Sequence, residues 1–304
     1  MTSVLIETKI EPALRIVVSS ATSVGGRPVN EDAIFTGETA APAAAGAGHV
    51  LVLADGMGGY QGGEVASEMA VAAVRGNLSE DPGGDAAMVL KQAFRRANDQ
   101  IFQGGQGAQP PVMMGTTLVA VVMFGKYATI ASIGDSRAYL ARANRLTQIT
   151  KDHSLVAEQV SNGMLSENEA RESPHRNILT HALGHKPKLD PKMPNIFEIT
   201  LLPEDKLLLC TDGFYDVVPN DDLLHVLLSS DETSVAQRLV DLAVERGTSD
   251  NVSAIVASVL PVREPLVIAG PGTASQTRAY LPLLAAAILI LMIAGLAAFY
   301  FFIY

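Results

Sequence analysis

The sequence predicts an α+β fold of mainly antiparallel sheets with helices packed outside them, followed by one C-terminal transmembrane helix. Three observations carry that expectation. Strand-like apolar runs follow one another across short turns, helical apolar stripes come in groups instead of alternating with strands, and residues 281–304 hold no charged side chain. A doubly wound sheet would alternate strand and helix along its length.

In order, strands are expected over 14–20, 50–54, 116–124, 128–133, 138–141, 196–201, 206–210 and 252–259, apolar runs rich in β-branched residues and punctuated by turn signals. Helical spacing shows in three stripes: Val65, Met69 and Ala73; Leu90, Phe94, Ala97 and Ile101; Val235, Leu239 and Leu242. Residues 161–189 are polar and contain Gly163, Pro174, Gly184 and Pro187, the pattern of a helix-containing surface flap. A folded unit over 1–260 is therefore expected, then a Gly- and Pro-bearing linker over 261–280 and a span over 281–304.

As a helix the last segment would run roughly 36 Å at about 1.5 Å per residue, enough for a bilayer core of about 30 Å. Met1–Ile10 carries Glu7 and Lys9 and resembles no signal peptide. The expectation is a single-pass cell-membrane protein with its folded unit in the cytoplasm, and Arg278 before the span agrees with positive-inside orientation. A net charge of -10 with no basic run argues against a nucleic-acid partner. Cys210 is the single cysteine, so no intrachain disulfide forms, and its Leu-rich surroundings suit a core thiol.

Two apolar runs end in Asp-Gly, at Asp55-Gly56 and Asp212-Gly213. A carboxylate at the end of a buried strand must be paired, hydrogen-bonded or metal-bound, because desolvating it alone costs several kcal/mol or forces it to protonate. Twice in one chain, this points to a shared cation site. Further acidic positions fall at Glu31-Asp32, Asp135-Ser136-Arg137, Asp152-His153 and Asp250-Asn251. Carboxylates and carbonyls suit Mg²⁺ or Mn²⁺, whereas zinc would call for closely spaced His and Cys, which the six histidines do not provide. Taken singly, each Asp-Gly is a turn signal.

Their order together is far more specific. Gly26-Arg27-Pro28-Val29-Asn30-Glu31-Asp32-Ala33, Asp55-Gly56-Met57-Gly58-Gly59, Gly115-Thr116-Thr117, Gly134-Asp135-Ser136-Arg137, Thr150-Lys151-Asp152-His153-Ser154, Thr211-Asp212-Gly213-Phe214-Tyr215-Asp216 and Ser249-Asp250-Asn251 succeed one another along residues 14–260. In these blocks the chain resembles the type 2C metal-dependent serine/threonine protein phosphatases, of the bacterial type. The resemblance implies a four-layer α-β-β-α sandwich and a centre of two Mn²⁺ or Mg²⁺ ions. It implies that Asp55 bridges the ions, that the Gly56 carbonyl binds one, and that Asp212 and Asp250 bind the other. Glu31 and Asp32 are expected close by, as ligands or through water. Asp152 matches a position that, with Asp212, holds a weaker third ion in many relatives, with Asp216 as a further candidate.

Arg27 matches the residue that receives the substrate phosphate, a task suited to the paired donors of a guanidinium. Two close ions lower the pKa of a shared water for in-line attack on phosphorus, so no phosphoenzyme is needed. Met57 stands where animal relatives carry a His proposed as general acid; Met gives no proton, and a water at the third ion is the expected substitute. Asp135 and Arg137 are expected in structural hydrogen bonds. Phosphoproteins, a Ser/Thr protein kinase among them, are the implied partners. A catalytically weak, membrane-tethered partner-binding module is the alternative, disfavoured by the intact Asp55, Asp212 and Asp250; a P-loop NTPase is disfavoured by the missing Gly-x-x-x-x-Gly-Lys-Ser/Thr.

Overall fold

The structure is a computed structural model that describes residues 14–39, 48–58, 62–81, 84–108 and 111–262. The expected span and nearly all of the expected linker lie outside the described residues. Among the described residues no helix is long and apolar enough to cross a membrane.

Strands β1 (Leu14–Ser23), β2 (Asp32–Thr39) and β3 (Gly48–Met57) precede helices α1 (Gly62–Glu80) and α2 (Ala86–Gly107). Five strands then follow: β4 (Gly115–Thr116), β5 (Leu118–Phe124), β6 (Tyr127–Ile133), β7 (Arg137–Arg142) and β8 (Arg145–Gln148). Helix α3 (Leu155–Ser161) precedes the expected flap, which carries α4 (Glu167–Glu172) and leads into β9 (Asn195–Thr200) and β10 (Lys206–Cys210). Helices α5 (Asp212–Tyr215), α6 (Asn220–Ser229) and α7 (Val235–Glu245) come before the last strand, β11 (Val252–Pro261).

All strand pairs are antiparallel. One sheet has the order β1-β11-β10-β7-β8; the other runs β2-β3-β5-β6-β9, with β4 paired to the end of β3. Period-two alternation explains why β3 and β10 read as unbroken apolar runs. In β3, Leu51 and Leu53 enter the core between the sheets while Val50, Val52 and Ala54 pack against the α1 and α2 side. In β10, Leu207 and Leu209 point between the sheets, and Leu208 and Cys210 join the core that includes α6 and α7. Both faces are buried, so the layers are helix, sheet, sheet, helix. Fully burying each such Leu is worth roughly 1.5–3 kcal/mol.

The α2 stripe Leu90, Phe94, Ala97 and Ile101 is fully buried. Of the α1 stripe, Ala73 is buried and Met69 packs against the same core, while Val65 is exposed; Ala66, Ala70 and Val74 complete the buried face. At the helix start a Cβ at Gly63 would lie 2.6 Å from Glu31 Oε1.

Candidate metal centre

The acidic motifs meet where the two sheets open at one end. Asp32 on β2 and Asp55 on β3 stand opposite each other in register. The Asp55 backbone is fixed on both sides: its N–H donates to Thr117 Oγ1 at 3.0 Å, and its carbonyl accepts from Thr116 Oγ1 at 2.8 Å and Thr117 N at 2.9 Å. Thr117 Oγ1 also lies 2.7 Å from Ser136 Oγ, tying this strand end to the turn before β7. From the other sheet, Asp212 opens α5 directly after β10.

Asn251 joins the two sides. Its amide nitrogen donates to the carbonyls of Val24 and Val29, both at 2.9 Å, and its Oδ1 accepts from Glu31 N at 2.8 Å. The loop carrying Arg27 is thereby held against the start of β11. Gly25, at φ +54°, allows this approach, since a Cβ there would sit 2.0 Å from the Asp250 carbonyl oxygen.

Asp32, Asp55, Asp135 and Asp212 lie deep among protein atoms, the first two and Asp212 keeping an opening to solvent. Burial pushes all four carboxyls up, and their mutual repulsion adds to it. Asp55 is raised well above the carboxylate range by burial, then by Asp212, Asp32, Asp135 and Asp250. Asp212 is raised to about 6 by burial, then Asp250 and Asp216, although it shares a hydrogen bond with Asp55. Burial raises Asp32 to about 7 against the hydroxyls of Ser253 (2.7 Å) and Thr211 (3.1 Å), which donate to Oδ2. Asp135 reaches about 8, from burial and then Asp212 and Asp152.

Among the described residues, no Lys, Arg or His forms an ion pair with any of these four. Asp32 Oδ1 is buried without a hydrogen-bond partner. An orphaned carboxylate oxygen beside three further carboxylates is a donor set suited to hard divalent ions. No three Asp, Glu, His or Cys side chains among the described residues already stand at closed ligand spacing.

The other expected residues divide. Arg27 and Asp250, assigned to phosphate and metal, hold each other: Arg27 Nη2 lies 2.7 Å from Asp250 Oδ2, with Arg27 half exposed. Glu31 faces Arg27 and Asp250, and its carboxylate lies against Gly63 at the start of α1. Asp216 caps α5 and pairs with Arg176 of the flap at 3.5 Å. Met57 ends β3 opposite Gly115.

Asp152 and Asp135 complete the expected set. Asp152 does not stand free beside Asp212: it accepts from Arg137 Nε at 3.1 Å to each oxygen and from Nη2 at 2.7 Å, and from Gln148 Nε2 at 2.8 Å. Its carboxylate is already satisfied by a guanidinium and an amide. Asp135 accepts a structural hydrogen bond at its backbone carbonyl from Tyr215 Oη at 3.1 Å, as expected, while its carboxyl faces Asp212 in the acidic cluster. The signal was present in the sequence, since Gly134-Asp135 also ends an apolar strand. His153 is buried, accepts from Gly134 N at Nδ1 (3.0 Å), and is lowered to about 4 by burial, so it stays neutral beneath the cluster.

The comparisons say which family this fold and its acidic cluster belong to. The family description "Protein phosphatase 2C" matches residues 27–253, and the chain belongs to that family. It is 36% identical to the serine/threonine protein phosphatase PstP of Mycobacterium tuberculosis over 235 residues, 77% of this chain and 43% of that protein. The chain thus spans under half the length of that relative. With the serine/threonine phosphatase Stp of Listeria welshimeri it shares 35% identity over 212 residues, 68% of this chain and 83% of that one. A crystal structure of the PstP catalytic domain in complex with two manganese ions superposes with a TM-score of 0.70 at 35% identity, covering 81% of this chain and 99% of that one.

Proposed function

We propose that this chain hydrolyses phosphoserine and phosphothreonine in proteins, with Mn²⁺ or Mg²⁺ held by Asp55, the Gly56 carbonyl, Asp212 and Asp250. The observation that carries this is the cluster of four buried carboxylates without an ion-paired protein cation; that a catalytic domain 35% identical to this chain is described in complex with two manganese ions supports the reading. Bound there, the ions would lower the pKa of a shared water and offset charge on the phosphoryl oxygens. Asp32 lies opposite Asp55 and is held by Ser253 and Thr211, which makes it an acceptor for a proton from that water. Arg27, half exposed at the mouth, offers its remaining donors to the phosphate while Asp250 orients it. Asp135 supports a further ion with Asp212 better than Asp152 does, because Arg137 already occupies Asp152.

The apolar segment 281–304 supports a membrane anchor with the phosphatase domain in the cytoplasm, acting on phosphoproteins including a Ser/Thr protein kinase. Fractionating cells that carry the full chain or a chain ending at 280 tests the anchor: the truncated chain should be soluble, and its persistence in membranes would count against it. The activity is tested with phosphothreonine peptides in Mn²⁺, Mg²⁺ or chelator, beside Asp55→Asn. Hydrolysis that survives chelation, or an Asp55→Asn variant as active as its parent, would sink the metal-dependent reading.

A further inference from the structure

Arg137 follows Asp135 by two residues and opens β7, and its guanidinium is committed in every direction. Nε and Nη2 grip Asp152, Nη1 donates to Tyr139 Oη at 2.9 Å, and the flat face lies 3.5 Å from the ring centroid of Tyr215. Tyr215 stands three residues after Asp212 on α5. Its hydroxyl donates to the Asp135 carbonyl at 3.1 Å. The two segments that bring Asp135 and Asp212 together are therefore tied by one side chain, and Arg137 holds that side chain in place.

Resting on the metal-dependent reading above, we propose that Asp152, Arg137 and Tyr215 form a positioning lock that holds Asp135 against Asp212 and sets how strongly this edge of the centre takes a divalent ion. Two buried carboxylates push each other apart, so their spacing needs a mechanical tie as well as a cation. Arg137 supplies that tie: its charge is paired with Asp152 while its face packs on Tyr215, and the same charge favours an ionised Asp135. A lysine supplies neither the forked contact to Asp152 nor the planar stack. Asp152, expected from sequence to touch an ion, instead acts through Arg137.

The test uses the full chain in detergent, with Tyr215→Phe and Arg137→Lys beside the parent. Mn²⁺ binding is followed by titration calorimetry, phosphatase rate is measured against Mn²⁺ concentration, and melting is recorded in chelator. For Tyr215→Phe the two tighter Mn²⁺ steps should match the parent and the loosest should weaken five- to tenfold. The Mn²⁺ concentration for half-maximal rate should rise by the same factor while KM for the phosphopeptide holds. Arg137→Lys should shift the same step further. If Arg137→Lys does not fold, Tyr215→Phe decides alone, since it removes a single oxygen. A loosest step within twofold of the parent in Tyr215→Phe, or losses spread evenly over all steps and following the melting temperature, would overturn the lock. A parent that binds no Mn²⁺ would instead overturn the metal-dependent reading itself.

Discussion

Strand β10 has a buried carboxylate at each end, Asp205 just before it and Asp212 just after it, and the two live in opposite circumstances. Asp205 is 1% exposed and accepts from Arg142 Nε at 2.9 Å, Arg142 Nη2 at 2.6 Å and Leu202 N at 2.7 Å. Asp212 meets other carboxylates and no ion-paired cation. The neighbouring strand β7 ends in an arginine on both sides, with Arg137 in register with Cys210 and Ala141 with Lys206. At one end Arg142 crosses to the β10 carboxylate; at the other Arg137 turns away to Asp152. Burial is common to both ends, so burial alone does not mark a site. The withheld countercharge does, because a buried ion without its partner is costly until something external supplies one.

The largest effect should come from exchanging each carboxylate for an amide. Asp212→Asn should lower kcat by about 10²- to 10³-fold in saturating Mn²⁺, since a group that places charge opposite the transition state is lost. In chelator the same variant should melt at or above the parent temperature, because one repelling charge is gone. Asp205→Asn should do the reverse, costing about 3 kcal/mol in urea unfolding by stranding Arg142 and its geometry, with the Mn²⁺ dependence of the folded fraction unchanged. If both variants lost stability alike in chelator, the distinction between the ends would be void. Arg142→Met is milder, about 2 kcal/mol, because the guanidinium is 37% exposed and water takes up part of what it leaves.

A pH profile sharpens the same contrast. Asp32 and Asp135, at about 7 and about 8, hold protons in the metal-free folded state that the unfolded chain, with Asp near 3.9, has already released. The native state then binds more protons than the unfolded one, so stability falls as pH rises toward about 8. His153, lowered to about 4, works the other way below about pH 6.5, where the unfolded imidazole takes up a proton that the native one refuses. The clean window is therefore roughly pH 6.5 to 8.5. Urea unfolding there should show the midpoint dropping with pH in chelator and levelling in Mn²⁺; a flat or rising profile in chelator would contradict the uncompensated cluster.

Much of this was legible before any coordinates. Continuous apolar runs announced β3, β10 and β11 because both faces of each strand are covered, and the Asp-Gly endings of the first two announced carboxylates at their tips. The edge strand β2 left no such mark: its run Asp32–Thr39 is short, mixed and part-exposed, so nothing in it announced that Asp32 stands opposite Asp55. Helices α3 and α4 are held by Ser154 and Ser166 at their starts and bury little, which leaves no apolar stripe to read. The surroundings of Asp135 and Asp152 are a different matter: the apolar strand before Gly134-Asp135 hints that Asp135 is buried, but the pairing of Asp152 depends on the direction taken by Arg137, which no sequence pattern gives.

The smallest effect is expected where a carboxylate has its guanidinium but neither is buried. Arg96 on α2 reaches both oxygens of Glu80 on α1, at 2.8 and 3.0 Å, a contact drawn as closely as that of Arg142 on Asp205. The side chains are 44% and 61% exposed, so water screens the pair and would solvate either partner left alone. Arg96→Ala should therefore lower the unfolding free energy from urea titration by less than about 0.5 kcal/mol, and less still in high salt. A cost near that of Arg142→Met would mean that contact geometry, and not desolvation, sets what these pairs contribute. The contrast between the ends of β10 would then lose its physical basis.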